Sequence, residues 1–420
     1  MPKIIIGYYD NSHSRGGTTR YLQELIGGLN RERFKPVFFT EKRQTWHEDL
    51  IAMGVKIITT DTSILPNEKE ISFSSSINIS KKRKNIILPK SIAWTIGLIK
   101  ELRLLTLLFR ISPVDILHLN NTGAEPSPIA ARIAGVPCII GTWHVDSTYD
   151  LENARSSMRF RLLERISMHS LHHSISVSKS TKDDWVKRCS LNTEYSKERV
   201  TVIYNGIDIL RITRKRTKEE AKESFNIDKN TIVIGSIGRL AREKGFEFLI
   251  HAISEINNHK HNMKFIIAGA GPLEKSLKEL SVKLGVSSLI HFEGFTNDVS
   301  SFLEALDIYI QPSLCEALGI ATIEACCMGL PAIVSEVGGL PELVVDGTTG
   351  IVIPPSNPTA IAQAIISLAG DLDKQDAMGK QGQVRSRQLF NRERMIKETV
   401  NVYEKILLNK QSKLGKKIWK

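Results

Sequence analysis

The 420-residue chain has little of what marks a secreted, metal-bound or membrane-spanning protein. Its five cysteines (Cys138, Cys189, Cys315, Cys326 and Cys327) are odd in number and contain no Cys-x-x-Cys pair. That argues against a disulfide framework and a zinc site, and fits a reducing compartment. Aromatic residues make up only 6% of the chain, and no recognition helix or RNA-binding motif appears, so no nucleic-acid partner is expected. The longest apolar stretch, residues 92–111, carries Lys100, Glu101, Arg103 and Arg110, which makes a membrane-spanning helix too costly. The apolar residues Ile4–Ile6 are too few for a signal-peptide core, so a first buried strand and no secretion are expected.

What is present reads as an ordinary globular protein, with 41% apolar and 24% charged residues. A chain of 420 residues is too long for one core, so two domains are expected. The net charge of +12 is unevenly spread. Residues 1–205 hold 29 Lys and Arg against 20 Asp and Glu, and residues 410–420 add five lysines and no acid. Such basic surfaces attract anionic lipid or nucleic acid.

Short apolar runs alternate with longer amphipathic ones, the mark of parallel sheets covered by helices. Strands are expected at Lys3–Gly7, Pro36–Phe39, Lys56–Thr59, Asp115–Leu119, Cys138–Thr142 and His173–Val177. A second series runs through Ile232–Ser236, Lys264–Ala268, Leu289–Glu293, Ile308–Pro312, Ala332–Ser335 and Gly350–Val352. Two doubly wound α/β domains in tandem follow: 1–205 and 206–388, then a helical segment 389–409 expected to cross back to the first domain and a basic tail 410–420. Residues 63–90, with the run Lys81–Lys84, read as a solvated loop, and 92–111 as an amphipathic helix that is buried in the first domain or lies on a membrane.

The chemistry concentrates in the second half. A strand ending near Pro312 leads through Glu316-Ala317-Leu318-Gly319 into an apolar helix that stops at Gly329. A helix start offers unpaired N–H groups and a positive dipole end, a seat for phosphate. Gly319 clears room for a ligand, and Glu316 faces whatever sits there. Glu324 lies in an otherwise apolar run, where burying an unpaired carboxylate is expensive, so it is a candidate to accept two hydrogen bonds from a ribose diol rather than an ordinary helix acid. The strand Ile232–Ser236 ends in a glycine turn followed by Arg239 and Lys244, cations suited to gripping phosphate at the carboxyl end of a parallel sheet. Two further glycine turns, Ala268–Pro272 and Val337–Glu342, follow strands in the same way. In the first half, His144 at a strand end is a candidate site residue, whereas His118 reads as a core histidine.

These residues carry a resemblance to the retaining enzymes of glycosyltransferase family four, which have the GT-B fold of two Rossmann-like domains facing each other across a cleft. The matching stretches are Val202–Asp208, Gly238-Arg239-Leu240 with Lys244-Gly245, Ala268–Pro272, Gly294-Phe295, and the two glutamates Glu316 and Glu324. The resemblance implies that Arg239 and Lys244 bind the donor diphosphate, Glu324 the ribose, and Glu316 the transferred sugar. It places the backbone of Ala317, Leu318 and Gly319 against diphosphate and sugar, Gly16-Gly17 at the nucleotide where acceptor approaches, and His144 beside the reacting sugar. Departures fall on the acceptor side: Thr18-Thr19 replace an acid that often follows the glycine pair, and Asn120 stands where a second histidine is common.

The implied reaction is transfer of a sugar from a nucleotide-sugar donor to a glycan or lipid-linked glycan, with retention and no metal or other cofactor. Asp371-Leu372-Asp373 reads as solvated acids. Cations at Arg239 and Lys244 then stabilise the departing diphosphate. No nucleophile stands opposite the sugar, which favours front-face attack. A bacterial surface, capsular or lipopolysaccharide product is expected, made in the cytoplasm or at the inner face of an anionic membrane. The competing readings are a nucleotide-sugar hydrolase or epimerase of the same fold, and an idle membrane-binding module. A nicotinamide dehydrogenase is disfavoured, because Gly7 and Gly16-Gly17 do not form Gly-x-Gly-x-x-Gly.

Overall fold

A computed structural model describes residues 2–12, 16–60, 90–120, 126–145, 158–191, 193–256 and 262–418, and the side chains of all of these except 90–93, 193 and 411–418. Residues 63–89 of the loop expected at 63–90, its Lys81–Lys84 run and Asp146 lie outside the described residues, as do the side chains of the basic tail beyond Lys410, while Lys90 already begins a helix.

Two parallel sheets organise the chain. The first contains β1 (Ile4–Tyr9), β2 (Phe34–Thr40), β3 (Lys56–Thr59), β4 (Ile116–Leu119), β5 (Cys138–Trp143), β6 (His173–Ser176) and β7 (Val200–Val202), in the order β3-β2-β1-β4-β5-β6-β7. The second contains β8 (Ile232–Ile237), β9 (Met263–Ala268), β10 (Ile290–Gly294), β11 (Ile308–Gln311), β12 (Ala332–Ser335) and β13 (Gly350–Ile353), in the order β10-β9-β8-β11-β12-β13. Helices cover both faces, so the inner strands are apolar without alternation: Ile310, Ile333 and Ile267 pack into one layer, Tyr309, Val334 and Ile266 into the other. Both orders reverse direction once, at β1/β4 and at β8/β11. In open α/β sheets that reversal opens a crevice at the carboxyl ends of the strands, where ligands bind.

The chain passes between the two sheets twice, and the passages lie side by side. Ile207 N–H donates to Phe390 O at 2.9 Å, and Arg392 N–H donates to Ile207 O at 3.0 Å. After the second passage the C-terminal helix (Arg392–Ile418) returns to the first sheet, where Met395, Val402, Tyr403 and Ile406 join Ile6, Tyr8 and Tyr21 in one core. Tyr403 OH lies 2.6 Å from Nδ1 of His118, whose Nε2 lies 2.5 Å from Thr142 Oγ1. Burial pushes His118 down to about 3, so its neutral ring serves as a strut between sheet and helix.

The helix Lys90–Ile111 buries Leu105, Leu108 and Phe109 and exposes Trp94, Ile96, Ile99 and Leu107. It is therefore packed by one face near its end and open along the rest. No helix among the described residues is long and apolar enough to cross a membrane.

Candidate active site at the facing crevices

On the second sheet an ion pair spans the β8/β11 crevice. β8 ends in a turn and a short 3-10 helix (Arg242–Lys244), while the loop after β11 carries Glu316. Lys244 Nζ and Glu316 Oε2 meet across the crevice, and the backbone reinforces the contact: Leu314 N–H donates to Glu243 O at 2.8 Å. Arg239 reaches Glu243 Oε1 at 2.6 Å and leaves 56% of its side chain exposed. The two cations expected at a diphosphate thus flank one loop, each already held by a carboxylate that an incoming phosphate would compete with.

The helix Ile320–Cys327 begins on this crevice. Its N-cap, Gly319, has φ +100°, and a Cβ there would stand 2.8 Å from Leu340 Cδ2, so a side chain is excluded on both counts. Glu324 projects from the buried side of this helix and is only 2% exposed. Burial raises its carboxyl pKa, with Arg20 opposing and Glu24 adding to the rise.

Arg20 comes from the other half of the molecule. It lies on the first helix (Gly17–Gly27), and its Nη1 sits 2.5 Å from Glu324 Oε1. The contact is an ion pair outside hydrogen-bond geometry, so Oε1 keeps an open acceptor position with no hydrogen-bonded partner. A Cβ on Gly17 would stand 3.3 Å from Ile320 Cδ1, which puts the expected glycine loop directly against the start of the second-half helix, while Gly16 faces open space. The structure therefore brings Gly16, Gly17, Gly319 and Glu324 to one place, and Lys244 to Glu316 beside it. Ala317 and Leu318 are buried under the loop, Ala317 O accepting at 3.4 Å from Thr181 Oγ1 of the first half.

Across the cleft, His144 follows β5 and is buried against Tyr21, their rings 4.5 Å apart. Burial, then the neighbouring His118, pushes His144 down to about 3. Its ring is oriented by two residues that the sequence did not single out as a unit. Asn120 Nδ2 donates to Asp10 Oδ2, which turns its Oδ1 toward His144 and makes Nε2 the donor at 2.7 Å. Asp10 follows β1, Asn120 follows β4 and His144 follows β5, so the line Asp10–Asn120–His144 runs along the carboxyl ends of the first sheet at its own switch point. Asn120, a departure from the family pattern, has a defined orienting contact here. The carboxyl of Asp10 is itself raised by burial, with Ser12 and Asn120 opposing.

Two glycine turns have other uses than holding phosphate. Gly269, at φ +138°, would drive a Cβ to 1.9 Å from Gly238 O, and Leu240 N–H donates to Ala270 O at 2.9 Å. The Ala268–Pro272 turn thus braces the Arg239 loop from behind. The Val337–Glu342 turn binds the first half: Glu342 accepts from Lys179 N–H at 3.0 Å, Ser180 N–H at 2.8 Å and Tyr204 OH at 2.9 Å. Asp371 caps the helix Leu372–Leu389, accepting from Lys374 N–H at 2.8 Å. Among the described residues, no group of three or more His, Cys, Asp or Glu side chains is placed to hold a metal ion.

Residues 15–211 match the family described as Glycosyltransferase Family 4, and residues 217–385 match Glycosyl transferases group 1. An uncharacterized glycosyltransferase of Methanocaldococcus jannaschii is 28% identical over 377 residues, 85% of this chain and 91% of that protein. The Escherichia coli UDP-Gal:alpha-D-GlcNAc-diphosphoundecaprenol alpha-1,3-galactosyltransferase is 27% identical over 66% of this chain and 72% of its own length. Anabaena HepE in complex with UDP-glucose superposes with a TM-score of 0.74 at 18% identity, over 96% of this chain and all (100%) of HepE.

Proposed function

The chain belongs to the glycosyltransferases of GT-B fold, and from that premise we propose that it moves a hexosyl group from a nucleotide-sugar to a glycan or lipid-linked glycan, with retention and without a metal. The observation that carries the donor assignment is Glu324: a buried carboxylate at the crevice, with an open acceptor oxygen and a removable partner in Arg20. A ribose hydroxyl supplies the donor that this oxygen lacks, and its neighbour in the diol can reach the same carboxylate. Lys244 and Arg239 exchange their carboxylate partners for the diphosphate, and the first turn of Ile320–Cys327 adds its N–H groups.

In the reaction the C1–O bond to the diphosphate breaks, and an acceptor hydroxyl forms its bond to C1 on the same face. The hydroxyl proton passes to the departing phosphate oxygen. Lys244 and Arg239 stabilise charge on that leaving group, Glu316 positions the sugar, and neutral His144 offers a ring nitrogen to a sugar hydroxyl. HepE holds UDP-glucose and the Escherichia coli relative carries a UDP-Gal name, which makes UDP-sugars the first donors to try.

Thermal unfolding in the presence of UDP-, GDP-, ADP- and TDP-sugars tests the reading, on wild type and Glu324→Gln. A donor at 100 times its dissociation constant adds about 2.7 kcal/mol. Stabilisation by one nucleotide, lost in the variant, is the expected result; equal stabilisation of both proteins removes Glu324 from the donor site. The anomeric configuration of the product, read by proton NMR, decides retention.

A membrane-bound acceptor is favoured by the exposed apolar residues Trp94, Ile96, Ile99 and Leu107 on a helix of the basic half. Sedimentation with anionic vesicles is expected for wild type at low salt and to be lost on Trp94→Glu with Leu107→Glu.

A further inference from the structure

The Val337–Glu342 turn touches the loop that carries Glu316 on one side and the first half on the other. Gly339 N–H donates to Glu316 O at 3.1 Å. A Cβ on Gly339 would stand 2.4 Å from Ala317 O, 3.0 Å from Leu318 Cα and 3.0 Å from Ser178 Cβ, so only glycine fits between the loop and the first half. Val177 of the first half packs in the same core as Ala317, Leu318 and Leu340. Arg385, on the helix Leu372–Leu389, holds the turn from behind, its Nη2 donating to Glu342 O at 2.9 Å.

Glu342 completes the connection. The helix Lys179–Arg188 of the first half has a cap of its own: Ser178 Oγ accepts from Thr181 N–H at 3.0 Å, and Ser178 O accepts from Lys182 N–H at 3.1 Å. The amides of Lys179 and Ser180 remain, and among the described residues their acceptors are the two oxygens of Glu342, Oε2 at 3.0 Å and Oε1 at 2.8 Å. A carboxylate at this point also meets the positive end of the helix. Oε2 accepts a further bond from Tyr204 OH at 2.9 Å, and Arg394 Nη2 donates to Tyr204 O at 2.6 Å, which puts the contact beside the paired passages between the halves. A local acceptor would satisfy the two amides equally well. One supplied by the other half ties the turn, and through Gly339 the loop of Glu316, to the first half.

We propose that Glu342 is a positioning residue for the donor crevice: it holds the Glu316–Gly319 loop against the first half and sets where Glu316 meets the sugar. It acts through Gly339 and the Glu316 backbone, not by touching the sugar. The part played in sugar binding rests on the donor assignment made above; the mechanical link between the halves does not.

Hydrogen exchange of the full chain, without ligand, tests the link. Lys179→Pro deletes one donor to Glu342 and leaves the second half untouched. The helix accepts the change, because proline is favoured at a first helical position and Ser178 before it is already extended (φ −151°, ψ 165°). Exchange in peptides covering 313–319 and 337–342 is expected to rise roughly threefold or more, while the helix Lys179–Arg188 and β9 keep wild-type protection. Should the helix itself lose protection, Tyr204→Phe, which deletes one bond to Glu342, must raise exchange in the same two segments. Unchanged exchange there, or a rise spread evenly over both halves, overturns the proposal. UDP and UDP-glucose are then titrated calorimetrically into wild type and Lys179→Pro. UDP-glucose is expected to weaken by about threefold to tenfold, the worth of one displaced hydrogen bond, and UDP by less than about twofold. Unchanged UDP-glucose affinity beside faster loop exchange overturns the positioning role. Wild type that binds neither compound counts against the donor assignment alone, and the link then stands or falls on the exchange result.

Discussion

Replacing Arg20 by Met removes the charge that compensates Glu324 while keeping most of the side-chain volume. For a fully buried pair, loss of one partner costs about 3–5 kcal/mol. Here the Glu324 side chain is 3% exposed but that of Arg20 is 33% exposed, so water already screens one side. We expect about 2 kcal/mol, between the buried and exposed limits. In a domain of this size that is a fall of about 4–8 °C in Tm. The sign of the pH dependence follows from the raised carboxyl of Glu324. A protonated Glu324 needs no counter-ion, so the difference between wild type and Arg20→Met should be largest at alkaline pH and shrink as pH falls. Saturating donor should narrow it too, because the ribose hydroxyls replace Arg20 as partners. The assay is thermal unfolding of both proteins at pH 8 and pH 5.5, with and without donor. Equal Tm values at pH 8, or a difference independent of pH, would refute the reasoning.

Three further outcomes can be checked on the same protein. Gly319→Ala forces a side chain into φ +100° and to 2.8 Å from Leu340, and should lose about 1–3 kcal/mol in denaturant titration; a loss within error means the loop relaxes freely. Asn120→Ala strands both Asp10 and His144, costing about 1–3 kcal/mol and lowering kcat/KM roughly tenfold to hundredfold through loss of orientation; unchanged turnover in a folded variant removes the line from catalysis. Burial holds His47 and His173 down at about 4 and His118 and His144 at about 3, so the unfolded chain binds more protons than the folded one between those values and pH 6.5. Each contributes stability that is complete above pH 6.5 and is lost on acidification at about 1.4 kcal/mol per pH unit, partly offset by the raised carboxyls of Asp10 and Glu324. Calorimetry at pH 5.5 in two buffers should show net proton uptake on unfolding, and net release contradicts it.

Periodicity made the sheets legible because strands covered on both faces are continuous apolar runs. Lys56–Thr59 and Ala332–Ser335 end where the residues say they should. Three-residue β7 was missed, since Val200–Val202 is too short to show any period. The second-half crevice was legible for a different reason: Lys244, Glu316 and Gly319 lie on loops directly after strands, where position along the chain nearly fixes position in space. What stayed hidden was pairing across the two halves. Arg20 looks like any cation on an amphipathic helix, and nothing local connects it to Glu324, 304 residues further on. The Val337–Glu342 turn shows the converse, a glycine turn with the look of a phosphate loop that binds a helix start of the other half through Glu342. Glycine spacing records that a backbone comes close to something, and not what that something is.

The paired passages at Ile207 and Phe390–Arg392 decide how the two halves can move. A single linker lets two bodies tumble about each other like a ball on a string. Two passages joined by a pair of backbone hydrogen bonds can twist or slide past each other only by breaking the bonds between Ile207 and its neighbours. A doubled crossing restrains twist more than bend, and Arg20–Glu324 with the Glu342 hydrogen bonds are contacts that any opening of the cleft would have to release.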